Sequence, residues 1–196
     1  MKEINVKGTA RTSFGKKAAR DIRKANAVPC NLYGEAKDEN GAPVALSFTA
    51  TNDELRNLIY TPDIYTVNLN IDGKECKAVL KEIQFHPVKD NVLHVDFYEI
   101  TENKPIVMEV PIKLNGLAEG VKAGGRLAAS VRKLKVKAVY SNIPERLNID
   151  VTHLGLGKTI KVGELSFEGL ELVTSKEVVV CQVKMTRAAK SAASAN

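Results

Sequence analysis

Tryptophan is absent from the 196 residues, cysteine occurs three times, and Phe, Tyr and Trp together make up 5% of the chain. The cysteines, Cys30, Cys76 and Cys181, are odd in number and far apart. That excludes a disulfide framework and a zinc cluster with C-x-x-C spacing, and it predicts free thiols in a reducing, cytoplasmic compartment, buried as small hydrophobes. No run of about 18 apolar residues occurs, so no membrane-spanning helix is expected. The opening stretch MKEINVKGTARTSFG lacks an apolar core, so no secretory signal is expected. G-x-S-x-G, Walker A, G-x-G-x-x-G and H-E-x-x-H signatures are all missing. No metal, cofactor or small-molecule substrate is expected, and the chain does not read as an enzyme.

Acidic residues are scarce at the start. Residues 1–24 hold eight basic side chains (Lys2, Lys7, Arg11, Lys16, Lys17, Arg20, Arg23, Lys24) against Glu3 and Asp21. This segment carries +6, the formal charge of the whole chain, and the other 172 residues sum to zero. A C-terminal half near neutrality is therefore expected, as suited to protein as to RNA. A localised basic patch is the footprint of a polyanion contact. At about 100° per residue, a helix over 16–26 gathers Lys16, Lys17, Arg20, Arg23 and Lys24 on one side. Ala18, Ile22 and Ala25 fall on the other side, Gly15 gives a permissive entry, and Pro29 stops any continuation. A helix built only for solubility mixes signs at i,i+4, and this one does not.

Apolar and polar residues alternate along most of the chain, the period of a strand. Strands are expected at 3–11, 29–34, 43–48, 65–71, 74–85 and 91–100, with the polar turn EAKDENGA at 35–42. A short helix at 52–60 is capped by Thr51 or Asn52. Asp72-Gly73 between two alternating runs is a hairpin signal. The fold class that follows is mainly β with a few short helices. Residues 1–98 form a small barrel. TENKP (101–105) is a polar break, and strand-like runs at 105–116, 130–140, 146–154 and 176–185 make a second β-rich domain over 99–186. Residues 187–196 read as a flexible tail, in which Arg187 and Lys190 offer a weak second arm for phosphates.

The densest polar stretch is KEIQFHPVKDNVLHVDFYEI (81–100). Gln84 and His86 share one strand face, as do His94 and Asp96, and a hairpin would bring the pairs together. His94-x-Asp96 with the distant His153 also matches the two-His-one-carboxylate set of non-haem iron oxygenases. The Arg that an oxoglutarate-dependent enzyme needs soon after its distal His is missing, since the next Arg is Arg187.

Three blocks, RTSFGKKAARDIR (11–23), PCNLYG (29–34) and QFHPVKDNVLHVDF (84–97), occur in an order that resembles one family. It is the bacterial large-subunit ribosomal protein that binds 5S ribosomal RNA, also called the Ctc or general stress protein. The second half looks like the extension of its longer members, so the resemblance covers residues 1–185. It implies an N-terminal β-barrel bound to loop E of 5S rRNA in the central protuberance. Neighbouring ribosomal proteins are possible partners of the C-terminal domain. Carried over by motif, Arg11, Lys16, Arg20, Tyr33, Gln84, His94 and Asp96 face RNA, and His86 accompanies Gln84. Arg11, Lys16, Lys17, Arg20 and Arg23 would neutralise phosphates. Tyr33 would stack or donate through its hydroxyl. Gln84, His94 and Asp96 would read base edges, the carboxylate accepting from amino groups. Lys81 stands where some members have an uncharged polar residue, Phe85 where some have Arg, and Asp21 interrupts the basic helix. A stress-linked factor that visits the ribosome would carry the same features.

Overall fold

The computed structural model describes residues 2–37, 43–101 and 104–187. The chain divides into two compact units, Met1–Lys104 and Pro105–Asn196.

The first unit runs β1 (Lys2–Ala10), α1 (Lys16–Lys24), β2 (Ala27–Lys37), β3 (Pro43–Thr51), α2 (Asn52–Ile59), β4 (Tyr65–Ile71), β5 (Lys74–Phe85) and β6 (Val92–Glu99). The six strands close into a barrel in the order β1-β3-β2-β6-β5-β4. The alternation predicts this small barrel. Closure comes from β1, which pairs in parallel with β4 and antiparallel with β3 at its far end. Inward-facing Val6, Val28, Cys30, Leu32, Phe48, Val67, Leu69, Val95 and Phe97 fill the interior, joined by Leu55 and Leu58 of α2. The rings of Phe48 and Phe97 lie 5.8 Å apart at its centre.

Local signals fix several boundaries. Asp72 and Gly73 both have positive φ, 48° and 88°, as a two-residue type I′ hairpin turn requires. Asp72 also ties that turn to the barrel, its carboxylate accepting from the Ala10 N–H at 2.8 Å. Thr51 caps α2, accepting from the Glu54 N–H at 3.3 Å. Helix α1 ends earlier than Pro29 suggests. The helix stops at Lys24, Asn26 turns left-handed at φ 58°, and Pro29 sits inside β2 opposite Thr49. Ala25 is therefore exposed, and half-buried Ala18, Ala19 and Ile22 form the stripe that docks on β2. The expected turn at 35–42 lies largely outside the described residues.

The second unit comprises β7 (Pro105–Asn115), α3 (Glu119–Lys122), β8 (Arg126–Ala129), β9 (Lys133–Val139), β10 (Leu147–Asp150), β11 (Thr159–Lys161), β12 (Glu171–Leu172) and β13 (Val179–Lys184), with two 3-10 turns. Its sheets run β10-β7-β9-β12 and β11-β13-β8. Strand β9 shows its logic plainly: Leu134, Val136 and Ala138 are buried while Lys133, Lys135 and Lys137 are exposed. Pro111 occupies the last rung between β7 and β9, beyond which β7 pairs with β10 instead. Apart from Arg187, the expected tail lies outside the described residues.

Candidate nucleic-acid interface

Strands β2 and β6 run parallel, so Asn31 lies beside Asp96 and Tyr33 beside Tyr98. On the other side of β6, β5 runs antiparallel, setting Glu82 opposite Asp96 and Gln84 opposite His94. Buried Cys30, Leu32, Val95 and Phe97 alternate with these residues. Asn31, Tyr33, Gln84, His94 and Asp96 therefore project from the outer face of three neighbouring strands. The hairpin reading of 81–100 predicts the Gln84–His94 juxtaposition. Asn31, Tyr98, Glu82 and Ser47 are additional. Asn31, Tyr98 and Glu82 stand two residues from Tyr33, Asp96 and Gln84, which is a signal the sequence carries, whereas Ser47 enters only through the β2–β3 pairing, and the β2–β6 register that joins the set is non-local.

The face is internally bonded. His94 Nδ1 lies 3.4 Å from an Asp96 carboxylate oxygen. The Ser47 hydroxyl donates to the Asn31 side-chain oxygen at 3.0 Å. The Tyr33 and Tyr98 rings meet edge to face at 5.9 Å between centroids. Burial, with the negative charges of Asp96 and Glu82 behind it, pushes the Tyr33 phenol above its ordinary pKa. The hydroxyl therefore stays a protonated donor. Burial likewise raises the Cys30 thiol to about 12 and raises Cys76 and Cys181, so these groups remain thiols and not nucleophiles.

His86 has another occupation. Its Nδ1 accepts from the backbone N–H groups of Val88 and Lys89, both at 3.2 Å. Its own backbone bonds Asn91 and Asp90 across the turn, where Asp90 has φ 53°. The imidazole builds the tip of the β5–β6 hairpin, and beyond it Phe85 and Val88 are exposed. Two ladder irregularities shape the same hairpin, one passing Lys81 and one passing Leu93.

The second irregularity receives the basic helix. Arg23 Nε donates to the Leu93 carbonyl at 3.0 Å, fixing the end of α1 to the bulged strand β6. Arg23 thus has an anchoring contact that the charge pattern did not disclose. Lys16, Lys17, Arg20 and Lys24 are exposed and form no ion pair among the described residues, with Asp21 or any other carboxylate. The first turn of α1 has no acidic residue and no side-chain cap, and Gly15 enters it at φ 95°. Uncapped N–H groups with two flanking lysines favour an anion there.

Arg11 is half-buried at the start of the loop into α1. Its N–H donates to the Ser47 carbonyl at 3.0 Å, an Nη donates to the Ser13 carbonyl at 3.3 Å, and the guanidinium lies 5.3 Å from the centroid of the exposed Phe14 ring. Its Nε is buried without a hydrogen-bond partner.

The residues of the oxygenase constellation divide between the two units. His94 and Asp96 pair within the first unit, whereas His153 belongs to the second and lies 4.0 Å from Glu119. Among the described residues no group of three His, Cys, Asp or Glu side chains is placed to hold a metal. No described helix is long and apolar enough to cross a membrane.

Comparison with known proteins matches each unit separately. Residues 6–97 match the ribosomal L25p family, and residues 105–187 match the C-terminal domain of ribosomal protein TL5. The chain is 67% identical over 193 residues to the large ribosomal subunit protein bL25 of Phocaeicola vulgatus, covering 98% of both chains. It is 63% identical to that of Bacteroides thetaiotaomicron, over 100% of this chain and 98% of the relative. Identity to the Porphyromonas gingivalis protein of the same name is 56%, over 98% of each chain.

Proposed function

The chain belongs to the ribosomal L25p family, and from that premise we propose that the outer face of β2, β6 and β5, with α1 beside it, binds 5S ribosomal RNA at loop E in the central protuberance. Like its relatives it is a protein of the large ribosomal subunit and not an enzyme, and its place is the ribosome in the cytoplasm.

One observation carries the RNA reading. A row of hydrogen-bonding side chains (Asn31, Tyr33, Gln84, His94, Asp96) lies in adjacent register beside a helix whose cations have no carboxylate partners. The two parts suit two tasks. Lys16, Lys17 and Arg20 supply sequence-independent attraction to phosphates, and Arg11 adds a braced guanidinium. The β2–β6–β5 face supplies donors and acceptors at fixed spacing for base edges. Asp96 is out of place on a surface that only attracts phosphate, and it fits one that accepts from base amino groups. Tyr33 adds a hydroxyl donor and a ring edge. His86, occupied in the turn, acts by holding the hairpin tip in shape.

A gel shift with isolated 5S rRNA tests this, using the intact molecule and one with loop E rebuilt as a regular duplex. The expected result is a tight complex with the first and a weaker, strongly salt-dependent one with the second. Equal affinity for both would reduce the face to a general basic surface.

A further inference from the structure

The unit boundary reveals what the whole-chain charge conceals. Residues 25–104 carry seven basic and 13 acidic residues, hence −6, while residues 105–196 carry 14 basic and eight acidic, hence +6. The apparent neutrality beyond residue 24 is a cancellation, and the second unit is as basic as the N-terminal segment.

Part of that charge is gathered at one end of the sheet β11-β13-β8. Arg126 and Lys184 are direct cross-strand partners. Lys158 lies on the other flank of β13, its carbonyl accepting from the Val183 N–H at 3.0 Å. The Thr186 hydroxyl donates to the Gly124 carbonyl at 2.7 Å, tying the segment that leads to Arg187 to the turn between Lys122 and Arg126. All five cations are exposed, and none forms an ion pair among the described residues. Glu119, the acidic residue one turn before Lys122, lies against His153 instead.

Like charges placed directly opposite on neighbouring strands repel, so the Arg126–Lys184 pair does nothing for folding. A polyanion that sits on both removes the repulsion. We propose that Lys122, Arg126, Lys158, Lys184 and Arg187 form a second RNA-binding surface, on the C-terminal unit, that grips the phosphate backbone. The inference goes beyond the 5S contact and rests only on membership of a ribosomal family. A protein partner fits less well. Protein interfaces deplete lysine at their centres and need apolar area there, and among the described residues of β13 and the segment after it Met185 is the one exposed large hydrophobic residue. Phosphate contacts need only cations in reach.

The test uses the full chain carrying K16Q, K17Q and R20Q, which removes three of the cations of the N-terminal helix. Binding to a short RNA duplex of arbitrary sequence is followed by fluorescence anisotropy across a salt series. Residual binding is expected, with a log–log salt slope of about −2 to −4. Adding R126Q and K184Q should make that slope shallower by about 1.5–2 units. The melting temperature should hold or rise, because a repulsion is removed. Should those two changes disturb the fold, K122Q with K158Q gives the same reading from outside the strands. Unchanged slope and affinity would overturn the proposal. So would binding to polyglutamate, but not to the duplex, that is lost in the same variants, since it would point to an acidic protein. The parent's gel shift on 5S rRNA reads the first surface separately.

Discussion

A carboxylate on a surface proposed to face RNA has two possible meanings, and Asp96 distinguishes them. It lies 3.4 Å from His94 Nδ1 and stands opposite Glu82, so two carboxylates share this part of the face. If Asp96 only neighbours the contact, Asp96→Asn relieves repulsion and tightens binding to every RNA alike. If it accepts from a base amino group, the amide removes an acceptor and presents a mismatched donor, costing about 1–3 kcal/mol against loop E. The expected outcome of paired titrations at one salt concentration is weaker binding to 5S rRNA, with binding to a control duplex level or slightly improved. Equal gains on both would remove 84–97 as the specificity element. At this scale the sequence is informative in one direction only. Two-residue spacing places Gln84 and His94 on a common face, because a hairpin is local. The pairing of Asn31 with Asp96 joins positions 65 residues apart, and no periodicity reports it. His86 shows the opposite limit, since a motif position cannot reveal that its Nδ1 accepts from two backbone N–H groups.

At the scale of elements, α1 is legible as a basic helix but not as an anchored one. Its stripe of Ala18, Ala19 and Ile22 is thin and only half-buried, so docking relies also on Arg23 reaching the Leu93 carbonyl. That carbonyl is available where the β5–β6 ladder skips a residue, and an irregularity of this kind leaves no clear mark in an alternating sequence. Arg20 and Arg23 are therefore expected to differ although both are arginines on one nine-residue helix. Arg20→Ala should weaken RNA binding and make the salt slope shallower by somewhat under one unit. Arg23→Ala should also cost stability, about 0.5–1.5 kcal/mol in urea unfolding, because a charged donor to a backbone carbonyl is lost. Identical stability for the two variants would mean that Arg23 does not hold the helix. The short strands β8, β11 and β12 went unread for a related reason. Runs of two to four residues among glycines are fixed by their partners and not by their own pattern. Asp72-Gly73 was readable because a type I′ turn imposes its chemistry on adjacent residues.

For the whole molecule, net charge and local charge give different answers, and the difference is measurable. Residues 1–104 contain 15 basic and 15 acidic residues, so the first unit has no net charge. Its barrel closes on itself and has a core of its own, and every residue proposed to face 5S rRNA lies within it. A fragment of residues 1–104 is therefore expected to fold cooperatively and to shift 5S rRNA with nearly the affinity of the full chain. If its attraction comes from α1 and Arg11, as proposed, its log–log salt slope on 5S rRNA should be about −3 to −4. On an arbitrary duplex the full chain should show a steeper slope than the fragment, the excess arising from the cations of the second unit. A neutral fragment that binds its RNA would show that arrangement, and not total charge, makes the contact. Circular dichroism and a gel shift on the same preparation decide the matter. A folded fragment that leaves 5S rRNA unshifted while the full chain binds would move the 5S contact out of the barrel, and the reading of β2, β5 and β6 as its RNA face would fall with it.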